Sequence, residues 1–357
     1  MASPSQSTAA AAATASIPIV DFGKFLHGTA EEKKEVARQI DEAFCTVGFV
    51  YLSNHGVAEE LVEECFTWSK KFFALPLQDK MKAPHPPGGA HHRGYSAPGS
   101  EKVSQHVYDE EEIAKISEDY KESFESGNPL DPYQPNIWPP PTLLPGFQPF
   151  LETFFTHCAA LIHHILDAIS TALAVPAPGL SPTHSTSPFQ LRLLHYPSLP
   201  SSHLSHSKRS RINAHSDFGS LTLLFQDAVG GLEIQNPHQG HDAAAAAAGS
   251  GGFRPAPPIA GTVLVNIGDL MARWSNDRYR STVHRVGLPE GWGVAGDMVP
   301  DRYSIPFFAM PDVETVIEAL PGCWDDRDAA EGGRPKKYDP VTAMEYVQMR
   351  MAALYQS

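Results

Sequence analysis

From residue 188 to residue 309 the chain keeps returning to one pattern, a short run rich in apolar residues followed by a turn signal. The runs are FQLRLLHYP, SLTLLFQD, GLEIQNP, GTVLVNIGD, STVHRV and YSIPFFA. Strands this short bury a face only by packing against one another, and their regular spacing predicts an all-β sandwich or barrel. The segment before them has a different period. GFQPFLETFFTHCAALIHHILDAISTALAV (146–175) repeats its apolar positions at helical intervals, and so do Val36, Ile40 and Phe44 behind a capping-box pair, Thr29 and Glu32. A further helix runs from about Glu59 to Phe73, between the strand FVYLSNH (49–55) and a Pro-, Gly- and His-rich stretch (83–146) that reads as long loops.

The chain therefore divides into a polar, small-residue tail expected to be disordered (1–16), a largely helical N-terminal region (17–145), and a long helix followed by the β core (146–337). A terminal helix completes it (338–357), with Asp339 and Pro340 placed as N-cap and first-turn proline. A low-complexity insert (238–255) is expected to be a flexible loop, and its His238 and His241 are set aside as metal ligands because nothing rigid holds them. The fold class is α+β.

Composition narrows the function. Asp and Glu outnumber Lys and Arg by 41 to 27, a net charge of −14, which opposes binding to nucleic acid or to an anionic membrane surface. No apolar run is long enough to span a bilayer. The four cysteines, Cys45, Cys65, Cys158 and Cys323, form no Cys-x-x-Cys pair and read as reduced thiols of a cytoplasmic protein.

The chemistry concentrates in three places. His215 and Asp217 are two residues apart, so on a strand both side chains point to one face and converge on one ion. His284, in STVHRV, supplies a third ligand. Two imidazoles and a carboxylate on one side of a divalent metal leave positions open for other molecules, which suits non-haem iron. Arg302 and Ser304 repeat the two-residue spacing and form a fork for a carboxylate; a charge in so apolar a strand calls for a buried anion. The Lys208-Arg209-Arg211 group reads as a solvated loop, and Trp274 and Trp292 as packing residues.

These motifs resemble the Fe(II)- and 2-oxoglutarate-dependent dioxygenases of the isopenicillin-N-synthase-like class along nearly the whole chain. The likeness rests on IPIVDF, GFVYLSNHG, KFFALP, HSDFGSLTLLFQD, GGLEIQNP, VNIGDLMARWSNDRYRSTVHRV and RYSIPFF. Within the class the likeness is to the thymine dioxygenase group, through RGYSAPGSEKVSQ (93–105), DYKESFESG (119–127) and LRLLHYP (191–197). The resemblance implies a double-stranded β-helix (jelly-roll) core with flanking helices, Fe(II) on His215, Asp217 and His284, and 2-oxoglutarate held by Arg302, Ser304 and Tyr196. It further implies that dioxygen oxidises a C–H bond of a small organic substrate while 2-oxoglutarate leaves as succinate and CO2. Arg192, Phe218, Phe308 and His92 take the substrate-contact positions. The thymine group carries tyrosine at 218 and asparagine at 92, and Leu194 stands where many relatives place an asparagine. Three other readings stay open: a fungal secondary-metabolite oxygenase, an oxidase that does not use 2-oxoglutarate, and a binding protein on the same scaffold.

Overall fold

The computed structural model describes residues 16–87, 91–100, 119–186, 188–205, 211–236, 252–292, 297–327 and 332–355. The expected tail therefore lies almost wholly outside the described residues, and so does most of the 238–255 insert. Two sheets make the core. Their strands, in chain order, are β1 (Ile19–Asp21), β2 (Phe49–Ser53), β3 (Gly94–Ser96), β4 (Glu122–Gly127), β5 (Gln190–Tyr196), β6 (Ile212–His215), β7 (Leu221–Gln226), β8 (Leu232–Gln235), β9 (Phe253–Pro255), β10 (Thr262–Ile267), β11 (His284–Val286) and β12 (Arg302–Ala309). The larger sheet has the order β1-β2-β10-β7-β12-β5-β4-β3 and the smaller β9-β8-β11-β6. Pairing is antiparallel except between β1 and β2.

Alternation along each strand divides the two faces of the larger sheet. Leu191 and Leu193 of β5 and Ile305 and Phe307 of β12 point to one side, where they join a cluster with Ile40, Phe44, Phe72, Phe154 and Ile162. Those partners come from three helices, α1 (Ala30–Thr46), α2 (Glu59–Phe73) and α3 (Phe147–Ala172). Arg192, Leu194 and Tyr196, with Arg302, Ser304 and Phe308, point the other way and line a cavity. A second apolar cluster, including Phe49, Leu194, Ile212, Leu232, Ile234 and Val286, draws on both sheets and closes the space between them. The fold is the expected jelly roll with helices packed on one face.

Local signals worked where they were strong. The Thr29–Glu32 capping box forms, with Glu32 N donating to Thr29 Oγ1 at 3.3 Å and Thr29 N to Glu32 Oε2 at 2.9 Å. Gly48, at φ +78°, follows α1; a Cβ there would meet the Arg280 carbonyl oxygen at 2.3 Å, so only glycine lets the chain turn beneath the segment leading to His284.

Elsewhere the structure differs from the sequence reading. The 83–146 stretch is not all loop, since β3 and β4 lie within it and extend the larger sheet beyond β5. The end of the insert, residues 253–255, pairs with β8 as β9. Asp339 and Pro340 precede a short ladder of Val341–Thr342 with Val316–Ile317, and the terminal helix starts only at Ala343. Thr342 and Glu345 form its cap, Thr342 N donating to Glu345 Oε2 at 2.7 Å and Glu345 N to Thr342 Oγ1 at 3.1 Å. Arg211 is buried, not solvated: Arg211 N donates to the Val286 carbonyl at 2.8 Å, and its Nη2 to that of Pro300 at 2.7 Å. The Leu199–Pro200 and Met298–Val299 ladder folds over it.

Candidate active site

His215 ends β6 and His284 begins β11, and the two strands pair with these residues opposite each other. Asp217 lies two residues past His215, where the chain turns towards β7. The ring centroids of His215 and His284 are 4.4 Å apart, and their Nε2 atoms lie 3.9 and 3.7 Å from Asp217 Oδ1. One ligand atom from each residue falls within 4.8 Å of the others.

Hydrogen bonds orient each of the three. His215 Nδ1 sits 2.7 Å from the Asn213 carbonyl and His284 Nδ1 3.2 Å from that of Thr282, so each Nδ1–H donates to backbone and each Nε2 lone pair faces Asp217. Asp217 Oδ2 accepts from Thr222 Oγ1 at 2.6 Å and Asn266 Nδ2 at 2.7 Å, which leaves Oδ1 for the centre. Burial pushes the His215 imidazole down to about 4, helped by its neighbour His284, so it stands neutral with a free lone pair. Burial works against the Asp217 carboxylate, but His284, His215, Asn266 and Thr222 together outweigh it and hold the carboxyl below its usual range. Two imidazoles presenting Nε2 and a carboxylate presenting Oδ1 form a donor set suited to a divalent iron, so the residues fit the ion that the motif implies.

Arg302 lies on β12 of the larger sheet, opposite Tyr196, and Ser304 lies opposite Leu194. The Arg302 side chain is buried, with its guanidinium carbon 4.9 Å from the centre of the Tyr196 ring. Nη1 donates to Ser304 Oγ at 3.2 Å and Nη2 to Gln226 Oε1 at 3.0 Å, while Nε has no hydrogen-bond partner. The partners of its side chain are neutral oxygens. Arg211 packs against the same tyrosine, its guanidinium carbon 5.9 Å from the ring, and its Nε and Nη1 are likewise unpaired. Arg302 lines this end of the cavity with no acid against it, and Arg211 is buried on the same tyrosine, so this end suits an anion.

Arg192 faces the cavity from the next strand, opposite Glu125. Its Nη2 lies 2.5 Å from Glu125 Oε1, and Glu125 is fully buried. Gln190 Nε2 donates to Glu125 Oε2 at 2.7 Å, and the half-exposed His92 has its Nδ1 3.6 Å from the same oxygen. Phe218 and Phe308 complete this end. A single cavity of about 1320 Å³ is lined by His215, Asp217, His284, Arg302, Ser304, Tyr196, Arg192, Phe218, Phe308 and His92. Sequence reasoning missed Glu125, Thr222, Asn266 and Gln226. Thr222 and Asn266 were open to discovery, because each is a polar residue at an inward position of an otherwise apolar strand. Glu125 sits in a stretch read as loop, so no strand pattern pointed to it.

A jelly roll with two histidines and an aspartate at the mouth of the barrel, and an arginine fork beside them, defines a non-haem metal oxygenase. The comparisons narrow the class further. A model of the 2OG-Fe(II) oxygenase superfamily matches residues 188–311, and one for the N-terminal region of the non-haem dioxygenase in morphine synthesis matches residues 17–141. The 2-oxoglutarate-dependent dioxygenase frbA of Dothideomycetidae sp. (strain 11243) is 38% identical over 347 residues, 95% of this chain and 97% of its own. The proline hydroxylase buaE of Petromyces alliaceus is 36% identical, covering 94% of this chain and 98% of its own. Among solved structures, full-length Neurospora crassa thymine 7-hydroxylase with α-ketoglutarate and thymine superposes with a TM-score of 0.79 at 38% identity, covering 95% of this chain and 97% of the other. This chain belongs to the Fe(II)- and 2-oxoglutarate-dependent dioxygenases. It is an oxidoreductase that uses iron, 2-oxoglutarate and dioxygen to oxidise a C–H bond of a small organic molecule, with succinate and CO2 as co-products. Among the described residues, no helix is long and apolar enough to cross a membrane.

Proposed function

We propose that His215, Asp217 and His284 hold the iron, that Arg302, Ser304 and Tyr196 hold 2-oxoglutarate, and that Arg192, Phe218, Phe308 and His92 surround a neutral, hydrogen-bonding substrate of which a thymine-like pyrimidine is the type. The observation that carries this reading is the single cavity joining all ten residues, with Arg302 meeting only neutral partners while Arg192 meets the Glu125 carboxylate. Arg302 takes the distal carboxylate of the co-substrate, and the Ser304 hydroxyl adds a hydrogen bond to the same group. Bound iron supplies the oxidising chemistry by activating dioxygen with electrons from 2-oxoglutarate. The backbone bonds at each Nδ1 keep the imidazoles pointed at the centre, and Thr222 and Asn266 hold Asp217 Oδ2, so that Oδ1 would face the ion. Phe218 and Phe308 exclude water beside the reacting carbon, while Arg192, its charge met by the fully buried Glu125, offers a donor to an amide or imide edge. The thiols of Cys45, Cys65, Cys158 and Cys323 are free, which supports a reducing, cytoplasmic setting.

The cavity volume favours a second reading. Ligand pockets commonly span about 300–1,000 Å³. At about 1320 Å³ this one has room for more than 2-oxoglutarate and one pyrimidine ring. A larger amide-bearing secondary metabolite is the alternative, and the relatives include an enzyme named for proline hydroxylation. The test is anaerobic loading with Fe(II) and 2-oxoglutarate, then oxygen with thymine, uracil derivatives, amino acids or larger amides, with succinate and product masses quantified. Thymine oxidation supports the first reading and turnover of larger amides alone the second. Succinate release stimulated only by carboxylate substrates would overturn the neutral-substrate assignment.

A further inference from the structure

Asp269 opens α4 (Asp269–Trp274) and touches three separate stretches of chain. Its backbone N–H donates to the Asp217 carbonyl at 2.7 Å, and its neighbours continue the zipper: Leu270 N donates to Phe218 O at 3.2 Å, and Gly268 N to Ser220 O at 3.0 Å. The approach is so close that a Cβ on Gly268 would meet the Gly219 carbonyl oxygen at 2.1 Å. Its carboxylate accepts from Ser216 Oγ at 3.0 Å, between two ligand candidates, and from Ser281 Oγ at 2.5 Å, three residues before the other. The third stretch is α5 (Ala343–Tyr355), whose Arg350 Nη2 lies 2.8 Å from Asp269 Oδ2. The Arg350 guanidinium carbon also sits 4.9 Å from the centre of the Phe218 ring.

The terminal helix is a wall of the cavity, contributing Ala343, Met344, Val347 and Gln348 to its lining. Among its described side chains, the two that sink into the core, Ala343 and Tyr346, lie in its first turn. Arg350 holds the next turn, through an ion pair whose side chains are 29% and 14% exposed, which makes for a weak and reversible contact.

We propose that Arg350 and Asp269 form a latch through which docking of the terminal helix closes the substrate end of the cavity, seats Phe218 and braces the segment carrying His215 and Asp217. The bracing part rests on the ligand assignment proposed above. Arg350 and Asp269 are positioning residues, and the latch works with or without the metal, so it is readable in metal-free protein.

The experiment compares full-length wild type, Arg350→Gln, Arg350→Lys and Asp217→Ala. Hydrogen exchange in metal-free protein reads docking of 343–350, and Mn(II) titration by electron paramagnetic resonance reads the metal seat. Succinate formed from 2-oxoglutarate without added substrate reads closure. In Arg350→Gln, exchange at 343–350 should quicken by about two- to fivefold while α3 stays protected, as for a local opening. Mn(II) affinity should fall a few-fold, and the share of substrate-independent succinate should rise. Arg350→Lys, which keeps the charge but loses the planar stack on Phe218, should restore slow exchange but only part of the closure. Unchanged exchange in Arg350→Gln would overturn the latch, and faster exchange with unchanged Mn(II) affinity and succinate would overturn its link to the site. Asp217→Ala should abolish Mn(II) binding without freeing the helix. Retained Mn(II) binding in that variant would instead defeat the ligand assignment, so the two failures are distinguishable.

Discussion

Arg302 and Arg192 face one cavity from neighbouring strands, at inward positions of the same sheet, yet they live in opposite surroundings. Arg302 leans on Ser304, Gln226 and the Tyr196 ring, all uncharged, with Arg211 on the same tyrosine adding to the positive charge. Arg192 has the Glu125 carboxylate 2.5 Å away. In a low-dielectric wall an uncompensated guanidinium is costly until an anion arrives, whereas a compensated one has little to gain from a second anion. The same residue type therefore has two kinds of surroundings, one that fits the proposed seat of a dianionic co-substrate and one that fits the proposed wall for a neutral molecule. The candidate iron ligands line the same cavity as both arginines.

The largest expected effect falls on those ligand candidates. Asp217→Ala removes the carboxylate between two imidazoles and should abolish Mn(II) or Fe(II) binding and turnover together, measured by metal titration and succinate formation; without a centre the two ends have nothing to share. Next, Arg302→Ala should weaken 2-oxoglutarate binding by about 2–5 kcal/mol, the usual loss when one partner of a buried charge pair is truncated. Arg192→Ala should leave that affinity within about threefold, since it touches no part of the proposed seat. Calorimetry with metal-loaded protein under anaerobic conditions compares the two, and equal losses would erase the distinction between the arginines.

Removing Asn266 acts on the centre indirectly. Asn266→Ala frees Asp217 Oδ2 from one of its two donors, and loss of such an outer contact typically costs about 10–100-fold in metal affinity. Glu125→Gln attacks the comparison from the other side, by turning the Arg192 wall into a second cationic patch. Binding of 5-carboxyuracil relative to thymine should then rise about tenfold, as a charge-assisted bond replaces a neutral one. An unchanged ratio would mean that Glu125 does not set the charge preference of this end.

Much of this plan was legible in the sequence, and the reasons are local. A strand alternates its faces, so His215 with Asp217 and Arg302 with Ser304 could be paired from spacing alone. His284 lies 67 positions beyond Asp217, and the pairing of β11 with β6 brings it across; its strand and its ligand chemistry made it a candidate, but spacing alone did not place it there. Glu125 escaped for a related reason. Its segment is short, flanked by Pro- and Gly-rich chain, and becomes a strand because β5 offers it an edge. Arg211 looked like one more charge in the run KRSR, and nothing local told that a small ladder would fold over it. Asp339-Pro340 read as a helix start, but the chain spends two further residues in a ladder and Thr342 takes over the cap.

The smallest expected effect tests the neutral wall most directly. Phe218 follows the Asp217 ligand candidate, lines the cavity and carries Arg350 on its ring. Phe218→Tyr adds one hydroxyl to a ring whose position is already fixed, so the fold and the Arg302 end have no reason to respond. A single neutral hydrogen bond is worth about 0.5–1.5 kcal/mol, so thymine turnover expressed as kcat/KM should rise by roughly two- to tenfold, with 2-oxoglutarate KM unchanged. A gain confined to substrates with a free imide edge means the hydroxyl reaches the bound molecule. A fall for thymine together with a rise for larger amides would place the reacting substrate deeper against Met344 and Val347 of the terminal helix, and the preference for a pyrimidine would give way to the larger class.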